Sequence, residues 1–425
     1  MLLNPFTPSE IASAPDDFFG RVDELRTLER SLRLGSVAIQ GPMGIGKSSL
    51  LARGRLMMEG FASDRRAKSV VAVANKDVKT VDQAARLLLE RFVDFDEVQR
   101  KARLKIGSIL ELESGDVLRF FAEGRHMAAL NRVLDDEYLR RVLSADEMLV
   151  LAIDEADKAP VPLAQLIRTV VTHTQHEGIK NVRFVVAGVS PFFQEMVNED
   201  PGIARFVYQT ISMEPMSRFD AADLVQTKLA KVVVDAERKG LRLRVDQTLI
   251  HRIVALSGGH PHLIQLLGSH LIEHEEDDPD GVLDAHDMTN ALRRIAYEDR
   301  ARVYTATLHM LELHGFLDDL RTLLGATQQG FPTRIGRKGA VLEVGQVSLQ
   351  WLVDHNILSV LDDHYYGLVD EFNRVRLLLD AADSPREGER LERELIEAAS
   401  ASFSSVEDRL IDRIDHPEDY SDEDL

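Results

Sequence analysis

The chain has 425 residues, a net charge of −20 and no cysteine. The lack of cysteine excludes disulfides, thiolate zinc sites, thiol nucleophiles and iron–sulfur clusters, and the length predicts about three domains. The acidic balance disfavours a protein that wraps DNA through a basic surface. Half of the excess lies in residues 381–425, where fifteen acidic and five basic residues give a net charge of −10.

No apolar run approaches the roughly 20 residues that a membrane-spanning helix needs. The opening residues also lack the basic start and the long apolar core of a signal peptide. Together with the absence of cysteine, these features predict a cytoplasmic protein with no membrane partner.

The first predicted strand and helix enclose a phosphate-binding loop. Residues 36–40 are β-rich, residues 41–48 match G-x-x-x-x-G-K-[ST], and residues 49–53 continue at helical spacing. Glycines let backbone N–H groups converge on phosphate oxygens, Lys47 supplies a cation, and Ser48 offers a hydroxyl to Mg²⁺. The alternative is a glycine-rich turn without a ligand, but the strand–loop–helix context favours a nucleoside triphosphate site. Its predicted residues are Gly41, Pro42, Met43, Gly44, Ile45, Gly46, Lys47, Ser48 and Ser49.

The elements that follow the loop are those of a parallel α/β domain. A helix is predicted at residues 81–92, and residues 94–146 are read as a helical insertion or an extended helical layer. Continuous apolar runs suit strands that are covered on both faces. Such strands are predicted at residues 148–153 and 182–188, and further strands are predicted at residues 69–74 and 206–211.

Asp154 and Glu155 follow the strand at residues 148–153. An acid at the end of a buried strand, facing the phosphate loop, is where an NTPase holds its magnesium. We therefore assign Asp154 to Mg²⁺ through water, together with Ser48, and Glu155 to orienting and activating the attacking water. The alternative is a pair of solvated acids at a turn; the position after an apolar strand favours the catalytic interpretation.

The second half of the sequence is mostly helical. Ser217 is a predicted N-cap for a helix that reaches about Lys239. Residues 275–281 are charged and rich in helix breakers, which predicts a boundary. Further helices are predicted at residues 247–256, 262–275 and 390–399. Between about 283 and 380, three helical stretches are predicted, followed by a small hairpin with strands at 357–360 and 365–369. Helices that end in a hairpin are typical of a winged helix, and the rest of the acidic tail is predicted to be mobile.

Four features beyond the loop carry a family resemblance. Residues 17–25 match an F-x-G-R-x-x-E-L box, and Ser190 ends the strand that begins at Val182. Arg205 precedes the next strand, and residues 258–262 read Gly-Gly-His-Pro-His. With these features the chain resembles AAA+ ATPases, in the branch of origin-recognition-type initiators and STAND signalling ATPases. The resemblance covers about residues 15–275, and the winged helix more loosely.

The resemblance implies ATP or ADP with Mg²⁺ as ligands, and it implies roles for further residues. Phe19, Gly20 and Arg21 would border the adenine, and Ser190 would be the first sensor. Arg205 would be an arginine finger that acts in trans on a neighbouring subunit. Pro261 and His262 would belong to a nucleotide-binding lid motif.

Each of these residues also has a purely structural interpretation. Gly20 permits a turn, a serine before a proline is an ordinary helix cap, and a lone arginine is commonly a solvated cation. The motif at 258–262 is also what a glycine helix stop before a proline-initiated helix looks like.

One departure from the family pattern concerns the lid. Origin-type initiators place a second-sensor arginine where this chain has His262. An unperturbed histidine is mostly neutral at pH 7. The lid is therefore expected to sense the γ-phosphate weakly, as in STAND proteins, which favours a slow switch over a fast motor.

The predicted fold class is α/β: a P-loop NTPase parallel sheet with a helical lid, followed by a mostly helical winged-helix domain. The predicted divisions are an N-terminal segment with the adenine-bordering box at 1–35, the ATPase core at 36–215, the lid at 216–276, the winged helix at 283–380 and an acidic mobile tail at 381–425. No transition metal is expected, because His260 and His262 are explained by the lid, and His173 and His176 by a solvated helix face.

The predicted function is a slow ATP-binding and ATP-hydrolysing switch or assembly ATPase. It would form a homo-oligomer with ATP and act through a protein partner or effector on another chain. The alternative is a DNA-acting AAA+ ATPase, such as a transposition regulator, replication initiator or loader. Its candidate basic residues are Arg334, Arg337 and Lys338, with Arg293, Arg294, Arg300 and Arg302 as a second group. The expected reading helix at 348–356 has no lysine or arginine, so DNA is not favoured; a scaffold without turnover is disfavoured by Glu155.

Overall fold

The structure is a computed structural model. It describes residues 2–60, 67–92, 117, 119–135, 147–277, 279–325, 330–361, 363–382 and 384–415. The chain forms two compact units: residues 11–214 make one, and the first ten residues together with residues 215–425 make the other.

The unit of residues 11–214 is built on a five-stranded sheet in which all neighbouring strands are parallel. Its strands are β1 (Ser36–Gly41), β2 (Ala67–Val73), β3 (Met148–Asp154), β4 (Val182–Val189) and β5 (Val207–Ser212), in the spatial order β2-β3-β4-β1-β5. All five agree with the predicted strands to within two residues at either end, and the α/β class is confirmed.

Helices cover both faces of this sheet, as a parallel sheet requires. They are α1 (Val22–Leu34), α2 (Lys47–Gly60), α3 (Val81–Phe92), α4 (His126–Val133), α5 (Pro160–His176) and α6 (Phe192–Glu199). Along β1 the side chains alternate: Val37 and Ile39 join the apolar cluster of α1 and α2, while Ala38 joins that of α3, α4 and α5. Of the predicted helical insertion at 94–146, α4 is described, and residues 93–116, 118 and 136–146 lie outside the described residues.

The second unit is mainly helical. Its helices are α7 (Arg218–Arg238), α8 (Thr248–Ser257), α9 (Pro261–Asp277), α10 (Ala285–Arg294), α11 (Ala301–His314), α12 (Leu317–Gly325), α13 (Arg337–Asp354), α14 (Phe372–Asp380) and α15 (Pro385–Asp415). Its strands are β6 (Arg244–Val245), β7 (Val282–Leu283), β8 (Ile335–Gly336), β9 (Leu358–Val360) and β10 (Tyr365–Leu368). β6 and β7 form a parallel pair, and β8, β10 and β9 form an antiparallel sheet in that order.

Local sequence signals set several boundaries in this unit. The Ser217 hydroxyl accepts the Asp220 N–H at 3.1 Å, which caps α7 as predicted. Asp284 and Asp287 form a reciprocal capping box at the start of α10. α13 is two helical segments that meet at Gly345, whose φ of 81° suits glycine alone.

The first ten residues join the second unit rather than the phosphate loop, which divides the predicted 1–35 segment. Phe6 is buried against Gly268, where an added Cβ would lie 2.3 Å from the ring, so glycine is needed there. The Lys228 ammonium donates to the Pro5 carbonyl at 2.5 Å, and the Asn4 amide donates to the Ser269 hydroxyl at 2.9 Å.

In the tail, α15 (Pro385–Asp415) contains the helix that was predicted at residues 390–399, and residues 416–425 lie outside the described residues. α15 begins at Pro385 and buries Leu395, Ile396 and Ala399. These residues recur at helical spacing and form an apolar stripe within the helix that was predicted at 390–399. No helix among the described residues is both long and apolar enough to cross a bilayer.

Candidate nucleotide site

The phosphate-loop sequence lies where β1 ends and α2 begins. Gly44 and Gly46 have φ values of 79° and 101°, which side chains other than hydrogen rarely tolerate. A Cβ at Gly41 would lie 2.7 Å from the Met213 carbonyl oxygen. The glycines are therefore required by backbone geometry as well as by the anion-binding motif.

Lys47 is buried inside this loop, with 9% of its surface exposed. Its ammonium donates to the Gly41 carbonyl at 2.9 Å and to the Pro42 carbonyl at 2.6 Å. Burial lowers the pKa of Lys47 to about 8, and the Asp154 carboxylate is the strongest of the charges that oppose this shift. The lysine and the acid at the end of β3 are thus electrostatically coupled.

Asp154 and Glu155 differ in environment although they are adjacent. Asp154 is 8% exposed, and its carboxylate accepts the Glu155 N–H at 2.9 Å. Glu155 is exposed and has φ 52° and ψ 37°, a left-handed conformation that is uncommon for a residue with a side chain. The strand therefore ends with one carboxylate held in place and the next directed differently by the turn.

The end of β4 lies beside the start of the loop. In the β1–β4 ladder Val189 pairs with Gly41, so Ser190 follows directly at the same edge of the sheet. Ligands of open α/β sheets bind outside the carboxyl ends of the strands. The structure thus brings Lys47, Asp154, Glu155 and the Ser190 backbone to one edge.

The predicted adenine-bordering box lies against the loop through Arg21. Its guanidinium donates to the Ile45 carbonyl at 3.4 Å, to the Glu214 carbonyl at 2.5 Å and to the Glu24 carboxylate at 2.8 Å. Arg21 has φ 63° and Gly20 has φ 59°, so the box contains a left-handed turn. The arginine side chain is committed to protein groups, while Phe19 is half-buried.

Ser48 and Ser49 lie in the first turn of α2 and are half-buried. The Ser49 hydroxyl accepts the Ala12 N–H at 3.1 Å, which ties the segment before the box to this helix. Ser48 is the residue whose hydroxyl the motif assigns to the cation.

Arg205 lies at the opposite edge of the sheet from the loop. It ends a short 3-10 helix, Pro201–Arg205, just before β5, and the start of β5 pairs with the start of β1 at Val207 and Ser36. The loop follows the other end of β1, roughly 17 Å away at the usual rise of a strand. Arg205 is exposed, and its side chain makes no ion pair or hydrogen bond with the described part of the chain. The structure therefore does not bring Arg205 to the phosphate loop of its own chain.

The predicted lid residues belong to the second unit. Gly258 ends α8 with φ 59°, and Gly259 follows with φ 76°, its Cβ position 2.4 Å from the Met216 carbonyl oxygen. Pro261 opens α9. One ring nitrogen of His262 hydrogen-bonds the Pro8 carbonyl at 3.1 Å, and burial lowers the pKa of His262. A neutral imidazole at this position is what the sequence predicted.

Two further observations concern metal ligands and histidines. Within the described ranges no cluster of three or more His, Cys, Asp or Glu side chains is arranged to hold a metal ion. His176 is exposed, as predicted, but His173 is half-buried and contacts the Asn131 carbonyl and the Asp135 carboxylate at 3.2 and 3.1 Å. The prediction of a solvated face is wrong for His173, because α4 packs beside α5 and supplies polar partners.

Sequence reasoning missed one residue at this edge. Asp157, the last residue of Asp-Glu-Ala-Asp, accepts the Val189 N–H at 3.0 Å and the Lys158 ammonium at 2.6 Å. These bonds, with Lys158, hold the pKa of Asp157 below its usual value although burial opposes this. The signal in the sequence was a third acid shortly after the buried strand.

A phosphate loop after β1, an acidic pair after β3 and the strand order β2-β3-β4-β1-β5 define an AAA+ P-loop NTPase fold of the origin-recognition and STAND-like branch. The sequence profile of the family described as Novel STAND NTPase 1 matches residues 3–289. The chain belongs to this family.

Comparisons with individual proteins agree with the fold. The chain is similar to a Walker-type ATPase of Pyrococcus abyssi, with a TM-score of 0.55, 15% identity, and coverage of 87% of this chain and 98% of that chain. It is also similar to the ORC2 protein of Aeropyrum pernix in its ADPNP–ADP complexes, with a TM-score of 0.54, 14% identity, and coverage of 94% and 98%. At these identities the likeness shows the fold.

A curated relative is an uncharacterized HTH-type transcriptional regulator from Methanocaldococcus jannaschii, 25% identical over 278 residues. The match covers 61% of this chain and 64% of the relative, so the chain spans less than two thirds of that protein's length.

Proposed function

We propose that this protein binds ATP with Mg²⁺, hydrolyses it slowly and acts as a nucleotide-dependent conformational switch or assembly ATPase. The observation that carries the proposal is Lys47, a buried cation inside a glycine-shaped loop, surrounded by the charges of Asp154, Asp157 and Glu155. The glycines let backbone N–H groups converge on an anion beside Lys47, and the nearby carboxylates suit a divalent cation, so a magnesium-bound triphosphate fits both parts of the site.

The donor set at the loop suits magnesium. Mg²⁺ takes one or two protein oxygens and keeps water and phosphate oxygens as its other ligands. The Ser48 hydroxyl and the Asp154 carboxylate would hold it; when bound, it neutralises charge on the β- and γ-phosphates.

The remaining residues have distinct roles in the proposed hydrolysis. Lys47 and the N–H groups of residues 42–48 bind the phosphates. Glu155, exposed beside the anchored Asp154, orients the attacking water and accepts its proton. Ser190 contacts the γ-phosphate, and Arg205 of a neighbouring copy stabilises the charge that develops during transfer. Phe19 and Gly20 border the adenine, and Pro261 and His262 respond to the nucleotide through the lid.

Assembly with a second copy is supported by the position of Arg205. A finger on the far edge of the sheet, exposed and free of partners in the described part of the chain, is suited to completing the site of a neighbour. We propose a homo-oligomer that forms with ATP and a protein effector on another chain.

The test is nucleotide binding and native mass with ADP, ATP and a slowly hydrolysed ATP analogue. Lys47→Ala should lose ATP binding and any ATP-dependent gain in mass, whereas Glu155→Gln should bind and assemble but release phosphate at least about tenfold more slowly. Normal assembly of Lys47→Ala with ATP would refute the switch, and unchanged phosphate release by Glu155→Gln would indicate a scaffold.

A DNA-acting ATPase is the second candidate. Its support is the order α11, α12, β8, α13, β9, β10, which is that of a winged helix, and the HTH-type name of the Methanocaldococcus jannaschii relative. Against it, the exposed residues in the second segment of α13 include Val347, Gln350 and Asp354, and this segment contains no lysine or arginine.

The basic residues of this module are partly committed to aromatic rings. The guanidinium of Arg337 lies 5.2 Å from the Tyr366 ring and that of Arg334 lies 5.9 Å from the Tyr365 ring. A salt-dependent DNA mobility shift that Arg337→Ala and Lys338→Ala abolish, with Arg386→Ala on α15 as the control, would place DNA binding first.

A further inference from the structure

The last residues of β4, just before Ser190, pair with β1 but no longer with β3. β3 pairs with β4 as far as Ile153 and Val186. β4 then continues to Val189, paired on its other side with β1, where Val189 lies opposite Gly41. Beyond Val186 the ladder with β3 has ended, because Glu155 turns the chain with a φ of 52°.

Asp157 supplies the hydrogen bond that a longer β3 would have made. After the turn, the 3-10 segment Ala156–Lys158 runs back toward β4, and the Asp157 carboxylate accepts the Val189 N–H at 3.0 Å. A Cβ at Gly188 would lie 2.9 Å from the Asp157 nitrogen, so glycine is required for this approach. The carboxylate thus continues the sheet where its backbone partner is lost.

This bond belongs to a chain of contacts that crosses the nucleotide edge. Asp157 holds Val189, Val189 pairs with Gly41, and the Gly41 carbonyl accepts the Lys47 ammonium at 2.9 Å. Both Asp157 oxygens are used, since the second accepts the Lys158 ammonium at 2.6 Å. Because both carboxylate oxygens already accept hydrogen bonds, Asp157 is suited to holding neighbouring residues in place rather than to contacting the phosphates.

We propose that Asp157 is a positioning residue for ATP hydrolysis: by fixing the Val189 N–H, it sets Ser190 relative to Glu155 and the phosphate loop. The inference rests on the proposed ATPase function. It gives Asp157 the role of holding the end of β4, the strand that precedes Ser190. It predicts an effect on turnover rather than on nucleotide affinity, because the contacts that bind the phosphates stay intact.

The test separates kcat from ATP binding in the full chain. Asp157→Ala should lower kcat at least about tenfold, since small misplacements of catalytic groups cost one to two orders of magnitude. Its Kd for a fluorescent ATP analogue with Mg²⁺ should stay within about threefold of the wild-type value. If Asp157→Ala does not fold, Asp157→Ser replaces it, because a serine hydroxyl is too short to reach Val189.

A double-mutant cycle tests the route through Ser190. Ser190→Ala should lower kcat similarly, and the double variant Asp157→Ala/Ser190→Ala should be no slower than Ser190→Ala alone, since both act on one interaction. Asp157→Asn, which keeps an acceptor for Val189, should restore kcat to within about threefold of wild type. Lys158→Met, which leaves the Val189 bond intact, is the matched control and should have wild-type kcat.

The outcomes distinguish the two proposals. A wild-type protein that neither binds nor hydrolyses ATP would refute the proposed function and this inference with it. A wild-type ATPase whose Asp157→Ala kcat is unchanged, whose effects with Ser190→Ala are additive, or whose Asp157→Asn is as slow as Asp157→Ala, would refute the positioning role alone. Equal losses in Asp157→Ala and Lys158→Met would also refute it, since the ion pair would then be the cause.

Discussion

The guanidinium of Arg21 donates a hydrogen bond of 2.5 Å to the backbone carbonyl of Glu214, 193 positions later in the sequence. The same group reaches the Ile45 carbonyl in the phosphate loop at 3.4 Å and the Glu24 carboxylate at 2.8 Å. One side chain therefore joins the N-terminal box, the loop and the segment that leaves β5. The family resemblance assigned Arg21 to the adenine, and these contacts add a structural role.

The first prediction concerns this triple contact. Arg21→Ala should lower the free energy of unfolding by about 1–3 kcal/mol, because it leaves two carbonyls and a carboxylate without their donor. Urea unfolding followed by circular dichroism measures the loss. Arg26→Ala is the matched control: it lies on α1, the helix whose N-cap is Arg21, in an exposed ion pair with Asp23, and should change stability by less than about 0.5 kcal/mol. Equal effects of the two variants would contradict the role of Arg21.

The second prediction concerns pH and Lys47. With a pKa of about 8 in the folded chain, the ammonium is charged below pH 8 and loses its proton above it. A bound phosphate requires the charged form, so apparent ATP affinity should fall about tenfold between pH 7 and pH 9. Isothermal titration with magnesium and ATP measures this. Lys47→Arg binds more weakly throughout, but its affinity should not change over this pH range, because arginine does not titrate there. A wild-type affinity independent of pH would contradict the prediction.

The sequence predicted the sheet well because its signals are local. The strands at residues 148–153 and 182–188 are marked by apolar runs, and the loop residues 41–48 form a contiguous motif. The contacts of Asp157 and Arg21 were out of reach because their partners are backbone groups 32 and 193 positions away. A backbone carbonyl or N–H leaves no residue type in the sequence that marks it as a partner.

The helix predicted at residues 390–399 is confirmed, because its signal is also local. Leu395, Ile396 and Ala399 form an apolar stripe within that helix, now part of α15, and Glu392 on the same face contacts Arg293 of α10 at 2.6 and 2.7 Å. These four residues, within eight positions, make the packing contacts, while the many exposed acids account for the negative charge of the tail. Net charge alone does not reveal this packed segment, whereas its helical periodicity does.

The third prediction tests that packing. Leu395→Ala should destabilise the protein by about 2–4 kcal/mol, because it removes a buried leucine from the contact of α15 with the rest of its unit. Glu397→Ala, an exposed position on the same helix, should be neutral within about 0.5 kcal/mol. Limited proteolysis should cut the Leu395→Ala tail faster than the wild-type tail. A tail cut equally fast in wild type and both variants would show that α15 is not held in place.

The fourth prediction concerns Glu371, which is buried beside Thr333. Its carboxylate accepts the Thr333 N–H at 2.7 Å and contacts the Thr333 hydroxyl at 2.6 Å, yet burial raises the pKa of Glu371 to about 7. Because the folded state holds the proton up to pH 7 and the unfolded state releases it near 4.5, stability should fall as pH rises from 4.5 to 7. The total change from this group is on the order of 3 kcal/mol.

Glu371→Gln isolates that effect, since an amide resembles the protonated acid. Unfolding free energies at pH 5, 6, 7 and 8 should decline less steeply in Glu371→Gln than in wild type, and the two curves should diverge most above pH 7. Glu298→Gln, an exposed acid of the same unit, should keep the wild-type slope. Parallel curves for wild type and Glu371→Gln would mean that the buried carboxyl does not titrate in this range.

The fifth prediction places Arg205 in a neighbour's site. Arg205→Gln and Glu155→Gln should each release little phosphate alone, because one lacks the finger and the other lacks the residue that activates water. In an equimolar mixture, an Arg205→Gln protomer beside a Glu155→Gln protomer has a complete site at one interface. Random pairing makes about a quarter of the interfaces complete in a head-to-tail assembly, so phosphate release should recover to about that fraction of wild type. Action on a neighbour is expected because Arg205 lies at the edge of the sheet opposite its own phosphate loop. A finger that acted within one chain would give no recovery on mixing, and that result would overturn the proposed assembly.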